Sequence, residues 1–145
     1  MFRQPRKEAL KYLKQISRLP CILTLRPGVQ VAHIRYPAPF KRPVGMGEKP
    51  DDRWVVPLCP TLHVMASGAQ HNHNERAWWK WVGVDPIKVA RELWAYRDDF
   101  EWQEEIIHMA APQGEYQTRV ALLLGGYNPE LKEQDDDEPN NEPRN

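Results

Sequence analysis

Val29-Gln30-Val31-Ala32-His33-Ile34 and Asp51-Asp52-Arg53-Trp54-Val55-Val56-Pro57-Leu58-Cys59-Pro60-Thr61-Leu62-His63 are the stretches whose reading decides the fold. Each holds a short, β-branched apolar run, which favours a strand over a helix. His33 ends the first run, Asp51 and Asp52 precede the second, and His63, His71 and His73 follow it. Side chains at the end of one strand, the start of another and the helix after them are able to converge on one metal ion. The expected fold class is therefore α+β, with short strands flanked by N-terminal and C-terminal helices.

Upstream, Cys21 to Leu25 reads as a strand and Arg26-Pro27-Gly28 as a turn, making a β-hairpin with Val29 to Ile34. Downstream, Tyr36 to Asp52 holds four prolines and two glycines and reads as a long loop, a kind usually tied to function or mobility. Trp54 to Leu58 returns as a strand or extended segment, and the next helix begins near Pro60 or after Gly68. Asn74 is a candidate N-cap for Glu75 to Val82. Asp85-Pro86 is a stronger start, a cap acceptor followed by proline at the first helical position. Its helix is expected to run to about Arg97, with Ile87, Ala90, Leu93 and Trp94 at helical spacing. Residues 101–128 are expected to add another helix and a last apolar segment, Val120 to Leu124, of undecided type.

The formal net charge of zero hides a sorted distribution: residues 1–42 carry ten of the twenty Lys and Arg but only one of the twenty acids, Glu8. Residues 1–20 read as a basic amphipathic helix whose apolar series Leu10, Leu13 and Ile16 faces the core, ended by Leu19-Pro20. Arg18, Arg26, Arg35, Lys41 and Arg42 continue the positive charge past His33. Such a face suits phosphates, because neutralising them releases condensed counterions. The run from Pro129 to Asn145 is acidic and apolar-poor, so a disordered tail is expected there. At 145 residues a single domain is the natural expectation. No stretch has the roughly 18 to 20 consecutive apolar residues of a membrane span, and the charged N-terminus has no signal-like apolar run. Two cysteines without a CxxC argue against a disulfide scaffold or a redox motif, so reduced thiols in the cytoplasm are expected.

The segments LPCIL, VAHIRY, GMGEKPDDRWVVPLCPTLH and AQHNHNERAWWKWVGVDP resemble the phage- and prophage-associated HNH-type nucleases, a group that includes recombination-enhancement proteins. The resemblance covers roughly residues 10–97, with a nuclease core expected over 21–100. It implies a ββα-metal finger in which His33 is the general base on the attacking water, a task suited to an imidazole that titrates near neutrality. His63, in CPTLH, matches a metal ligand. His71 and His73 compete for the next ligand position, and the eight-residue step from His63 to His71 implies an inserted turn. Asp52, in preference to Asp51, would bind the metal or orient His33. Glu75 is a weaker metal candidate, better explained as a carboxylate favoured in a first helical turn.

What the resemblance further implies is a DNA phosphodiesterase using one divalent ion, Mg²⁺ or Mn²⁺, with Zn²⁺ or Ni²⁺ able to occupy the site on purification. Arg35, Lys41, Arg42, Lys49 and Arg18 would hold the DNA. The chain departs from the pattern at Ala32, where many relatives place a metal ligand, and at Thr24 and Leu62, where a structural zinc would need second cysteines. No structural zinc is expected. These departures keep a rival in view, a catalytically inactive DNA-binding module on the same basic face. A third class is a structural protein using its tryptophans. Trp78 and Trp94 are expected in the core, with Trp79 or Trp81 left for a partner.

Overall fold

The structure is a computed structural model that describes residues 6–41, 51–71 and 75–131, with the side chains of residues 6–8 and 67–71 outside that description. The described elements are α1 (Arg6–Ile16), β1 (Gln30–His33), β2 (Val55–Leu58), α2 (Pro60–His71), α3 (Glu75–Trp81), α4 (Pro86–Ala95), α5 (Phe100–Ala110) and α6 (Glu115–Leu124). The chain is thus α+β, with helices packed around one small antiparallel sheet. Among the described residues no helix is long and apolar enough to cross a membrane.

The strand partner differs from the sequence expectation. β1 pairs with β2, placing Gln30 opposite Leu58, Ala32 opposite Val56 and His33 opposite Val55. Residues 21–25 form no strand and turn back on themselves: the Cys21 N–H donates to the Arg26 carbonyl and the Leu25 N–H to the Cys21 carbonyl, both at 2.8 Å. Leu25 takes a φ of 61°, which an extended strand does not allow. Only the Ile22 N–H reaches across, to the Pro57 carbonyl at 3.0 Å. The hairpin is therefore closed by the long loop, and that brings Asp52 beside His33.

α2 follows β2 after one residue, with Pro60 at its first helical position, and packs on β1. It runs without a break through Ser67 and Gly68, so the inserted turn expected between His63 and His71 is absent. Continuous helical hydrogen bonding separates those two Cα atoms by about 12 Å along the axis.

One apolar cluster joins the elements. Ile16, Ile22, Val55, Val56, Leu58, Leu62, Trp79, Leu93 and Ile107 belong to it and are almost wholly excluded from solvent. α1 contributes through Ala9, Tyr12 and Ile16; Leu10 lies on the solvent side, because the helix turns Ala9 and Tyr12 inward and carries Leu10 off the buried stripe. α4 begins as expected: the Asp85 carboxylate accepts from the Ile87 and Lys88 N–H groups at 3.1 Å, ahead of Pro86. It stops at Ala95, two residues before the expected end. Val120 to Leu124 is the second half of α6. Trp78 and Trp79 are both buried, while Trp81 and Trp94 are partly buried against the cluster. Leu131 also packs on it, so the expected tail starts no earlier than residue 132, outside the described residues.

Candidate active site

The antiparallel register explains the site. His33 is the last residue of β1, directly opposite the first residue of β2, so the segment leading into β2 passes alongside its ring. Asp52 lies in that segment, and its Oδ1 is 2.8 Å from His33 Nε2. An ionised carboxylate only accepts hydrogen bonds, so Nε2 carries the ring proton and Nδ1 keeps its lone pair. The His33 side chain is 29% exposed and that of Asp52 12%. The pair is thus sheltered on the carboxylate side and open on the imidazole side.

Asp51 is engaged elsewhere. Arg53 clamps it through Nη2 at 2.8 Å and Nε at 3.1 Å to Oδ2, and the Arg53 N–H donates to Oδ1 at 2.9 Å. Burial alone would raise the Asp51 carboxyl, but these bonds hold it below its ordinary value. The clamp fixes the backbone next to Asp52, and of the two neighbouring carboxylates only Asp52 bonds to His33.

His63 sits in the first turn of α2, beside β1. Its Nδ1 is 2.8 Å from Oε1 of Gln30. An amide oxygen accepts, so Nδ1 is the protonated nitrogen and Nε2 is left with a lone pair. Burial, and then the nearby His33 imidazole, push the His63 pKa below the ordinary histidine value, so the neutral form needed for metal ligation is favoured. A hydrogen-bond acceptor on the far nitrogen is what fixes the ring and tautomer of a ligand imidazole in metal sites, usually a carboxylate, carbonyl or water, and Gln30 supplies an amide oxygen there. Gln30 was not singled out in the sequence; its role follows only from the Gln30–Leu58 register, which puts it beside the start of α2.

The remaining expected residues divide. His71 ends α2 with its side chain outside the described residues, and His73, Arg42 and Lys49 lie outside them altogether. Arg35 follows β1 and carries no ion pair among the described residues. Lys41 departs from its expected place on the DNA face. It is 4% exposed, with Nζ donating to the Tyr36 carbonyl at 2.8 Å. Burial lowers its pKa to about 8, although Glu75 and Asp51 pull it upward. Arg18 lies over the Phe100 ring, 5.4 Å from its centroid, at the start of α5 and not at the strands. Glu75, buried at the start of α3, accepts from the Arg35 N–H through Oε1 at 3.1 Å and so ties α3 to the chain leaving His33.

At the two positions where a structural zinc would need its second cysteines, Leu62 is fully buried and Thr24 Oγ1 accepts from the Arg26 N–H at 3.3 Å. Cys21 and Cys59 are free thiols, and Cys21 Sγ takes hydrogen bonds from the Leu23 and Cys59 N–H groups. Ala32 is buried opposite Val56. Compared with protein-family models, with curated proteins and with solved structures, the chain matches none.

Proposed function

We propose that this protein is a metal-dependent DNA endonuclease of the HNH type, acting in phage recombination or DNA processing. The observation that carries the reading is the His33–Asp52 pair at 2.8 Å, with a second imidazole, His63, close enough to feel the His33 ring electrostatically. Asp52 holds His33 in the tautomer whose Nδ1 accepts a proton from water and stabilises the imidazolium that forms. His63 offers Nε2 to a divalent ion, with His73 as the further protein ligand in preference to His71, which lies about two helical turns along α2, and water completing the shell. A shell of imidazole and several waters fits Mn²⁺, or Mg²⁺ where water supplies most of the ligands, and also lets Zn²⁺ or Ni²⁺ occupy the site. When bound, such an ion supplies Lewis-acid stabilisation of charge on the phosphate and leaving oxygen. Arg35, next to the base and without a carboxylate partner among the described residues, binds the scissile phosphate.

The experiment is plasmid nicking with Mg²⁺ or Mn²⁺, with and without EDTA, alongside a gel shift at several salt concentrations. Metal-dependent nicking that His33→Ala abolishes, with binding retained, is the expected result. Nicking by His33→Ala at the wild-type rate would refute the assignment of the base. A second reading, a DNA-binding module without catalysis, draws support from the buried Ala32 and from the unbroken α2, which spaces His63 from His71. It predicts salt-sensitive binding and no cleavage.

A further inference from the structure

Phe40 is an exposed aromatic held in place by its surroundings. It sits at the tip of a two-residue turn closed by reciprocal backbone bonds, Ala38 N–H to the Lys41 carbonyl and Lys41 N–H to the Ala38 carbonyl, each 2.9 Å. The turn is anchored from both sides. Lys41 is buried with Nζ on the Tyr36 carbonyl, and Arg76 donates through Nη2 to the Pro37 carbonyl at 3.1 Å while lying over the Tyr36 ring. Phe40 nevertheless leaves 50% of its surface in solvent.

Planar groups flank the ring. The Trp54 ring lies 5.7 Å away, tilted by 32°, and the Arg91 guanidinium carbon is 4.4 Å from the Phe40 centroid. Arg91 has no ion pair among the described residues, so its charge is uncompensated. The stack also borders the candidate site. Trp54 is two residues beyond Asp52, at most about 7 Å of chain, and its carbonyl accepts from the Ile34 N–H next to His33 at 2.8 Å.

We infer that Trp54, Phe40 and Arg91 form a stacking platform for an unpaired nucleobase, so that the strand presented to His33 is single-stranded or locally unpaired DNA. The inference rests on the nuclease reading and names its substrate class. Aromatic and guanidinium planes accept the face of any base, which gives affinity without sequence preference, whereas the bases of an intact duplex are already stacked. Arg35 and Arg91, neither in an ion pair among the described residues, supply the complementary charge for the phosphates on either side. A platform held by an anchored turn loses little freedom on binding.

The test is fluorescence anisotropy with a labelled oligo(dT) 16-mer and a 16-base-pair duplex, in EDTA so that nothing is cut. Wild type should bind the single strand more tightly than the duplex. Phe40→Leu, which keeps apolar bulk but removes the π-face, should weaken oligo(dT) binding by about 5- to 100-fold and duplex binding by less than twofold, while Phe40→Trp should retain it. Arg91→Ala should act in the same direction. Oligo(dT) binding by Phe40→Leu equal to wild type, equal losses on both DNAs, a wild-type preference for duplex, or no binding to either, would each overturn the inference. Plasmid nicking separates the two readings. Cleavage with ring-independent binding removes the platform and leaves the nuclease, and ring-dependent binding without cleavage does the reverse.

Discussion

The strand end and the helical end of this molecule both bury polar side chains, and they use them differently. At the helical end, Gln103 on α5 is wholly buried, and its amide is closed on both sides: Nε2 donates to the Leu93 carbonyl at 2.8 Å and Oε1 accepts from Gln15 Nε2, which also donates to the Arg97 carbonyl. Every partner is a neutral amide or backbone group, so the network ties α1, α4 and α5 together and holds no titratable group. At the strand end, His33, Asp52 and His63 are only partly buried, and each imidazole has one nitrogen held and one without a partner among the described residues. A closed network stabilises, while a half-open one is equipped for chemistry. Substitutions at the two ends should therefore separate activity from stability.

The largest expected effect is at the open end. His33→Ala should slow metal-dependent nicking by about 100- to 10,000-fold, the usual worth of a positioned base, with an unfolding midpoint close to wild type. Asp52→Asn should also slow nicking, because an amide is able to stabilise the wrong ring tautomer. If the two act as a unit, His33→Ala/Asp52→Asn will be no slower than His33→Ala alone. Multiplicative losses in single-turnover nicking would contradict that coupling.

At the closed end the pattern inverts. Gln103→Leu should lower the unfolding free energy by about 1–3 kcal/mol, because the Leu93 carbonyl loses its buried donor and the Gln15 amide one of its acceptors. Nicking below the melting transition should be unchanged. Denaturant unfolding and the plasmid assay on one preparation measure both, and a large activity loss at intact stability would erase the distinction.

What the sequence disclosed follows the same division between local and distant interactions. The Asp85-Pro86 helix start was legible because the cap bonds its own chain two and three residues on. The partner of β1 was not: Cys21 to Leu25 and Trp54 to Leu58 are both short apolar runs, and choosing between them depends on a turn at Leu25 that pattern does not reveal. His33 and Asp52 were visible as residue types at strand ends, yet their contact needed the second pairing. Lys41 looked like a loop cation, and its burial follows from Tyr36, Trp54 and Glu75 closing around it. Gln30, Glu75 as a tie to Arg35, and the Phe40 platform carry no signature in spacing, because each is defined by residues brought from elsewhere.

The smallest expected effect sharpens the comparison through pH. The Lys41 pKa is lowered by burial to about 8 in the folded chain. Between pH 8 and about 10.4, the usual lysine value, the unfolded chain holds more protons at this position, so Lys41 makes stability rise with pH. Tyr12 acts in the opposite sense: burial raises its pKa, against the pull of Arg97, so its contribution is full below the ordinary tyrosine value and is lost above it. Unfolding midpoints should climb modestly from pH 8 to 9.5, and Lys41→Met should flatten that climb. An equal climb in the variant would assign it to other groups.

In the proposed nuclease, His33 and His63 face one divalent ion across the space where a phosphate reacts. A crystal soaked in Mn²⁺, with anomalous scattering used to locate the ion, tests it most directly. A peak is expected within coordination distance of His63 Nε2, with His33 still bonded to Asp52 and its Nδ1 turned toward the ion's side of the site. Absence of a peak at His63 at saturating Mn²⁺, or an ion bound with His33 Nδ1 turned away from it, would rule the shared site out.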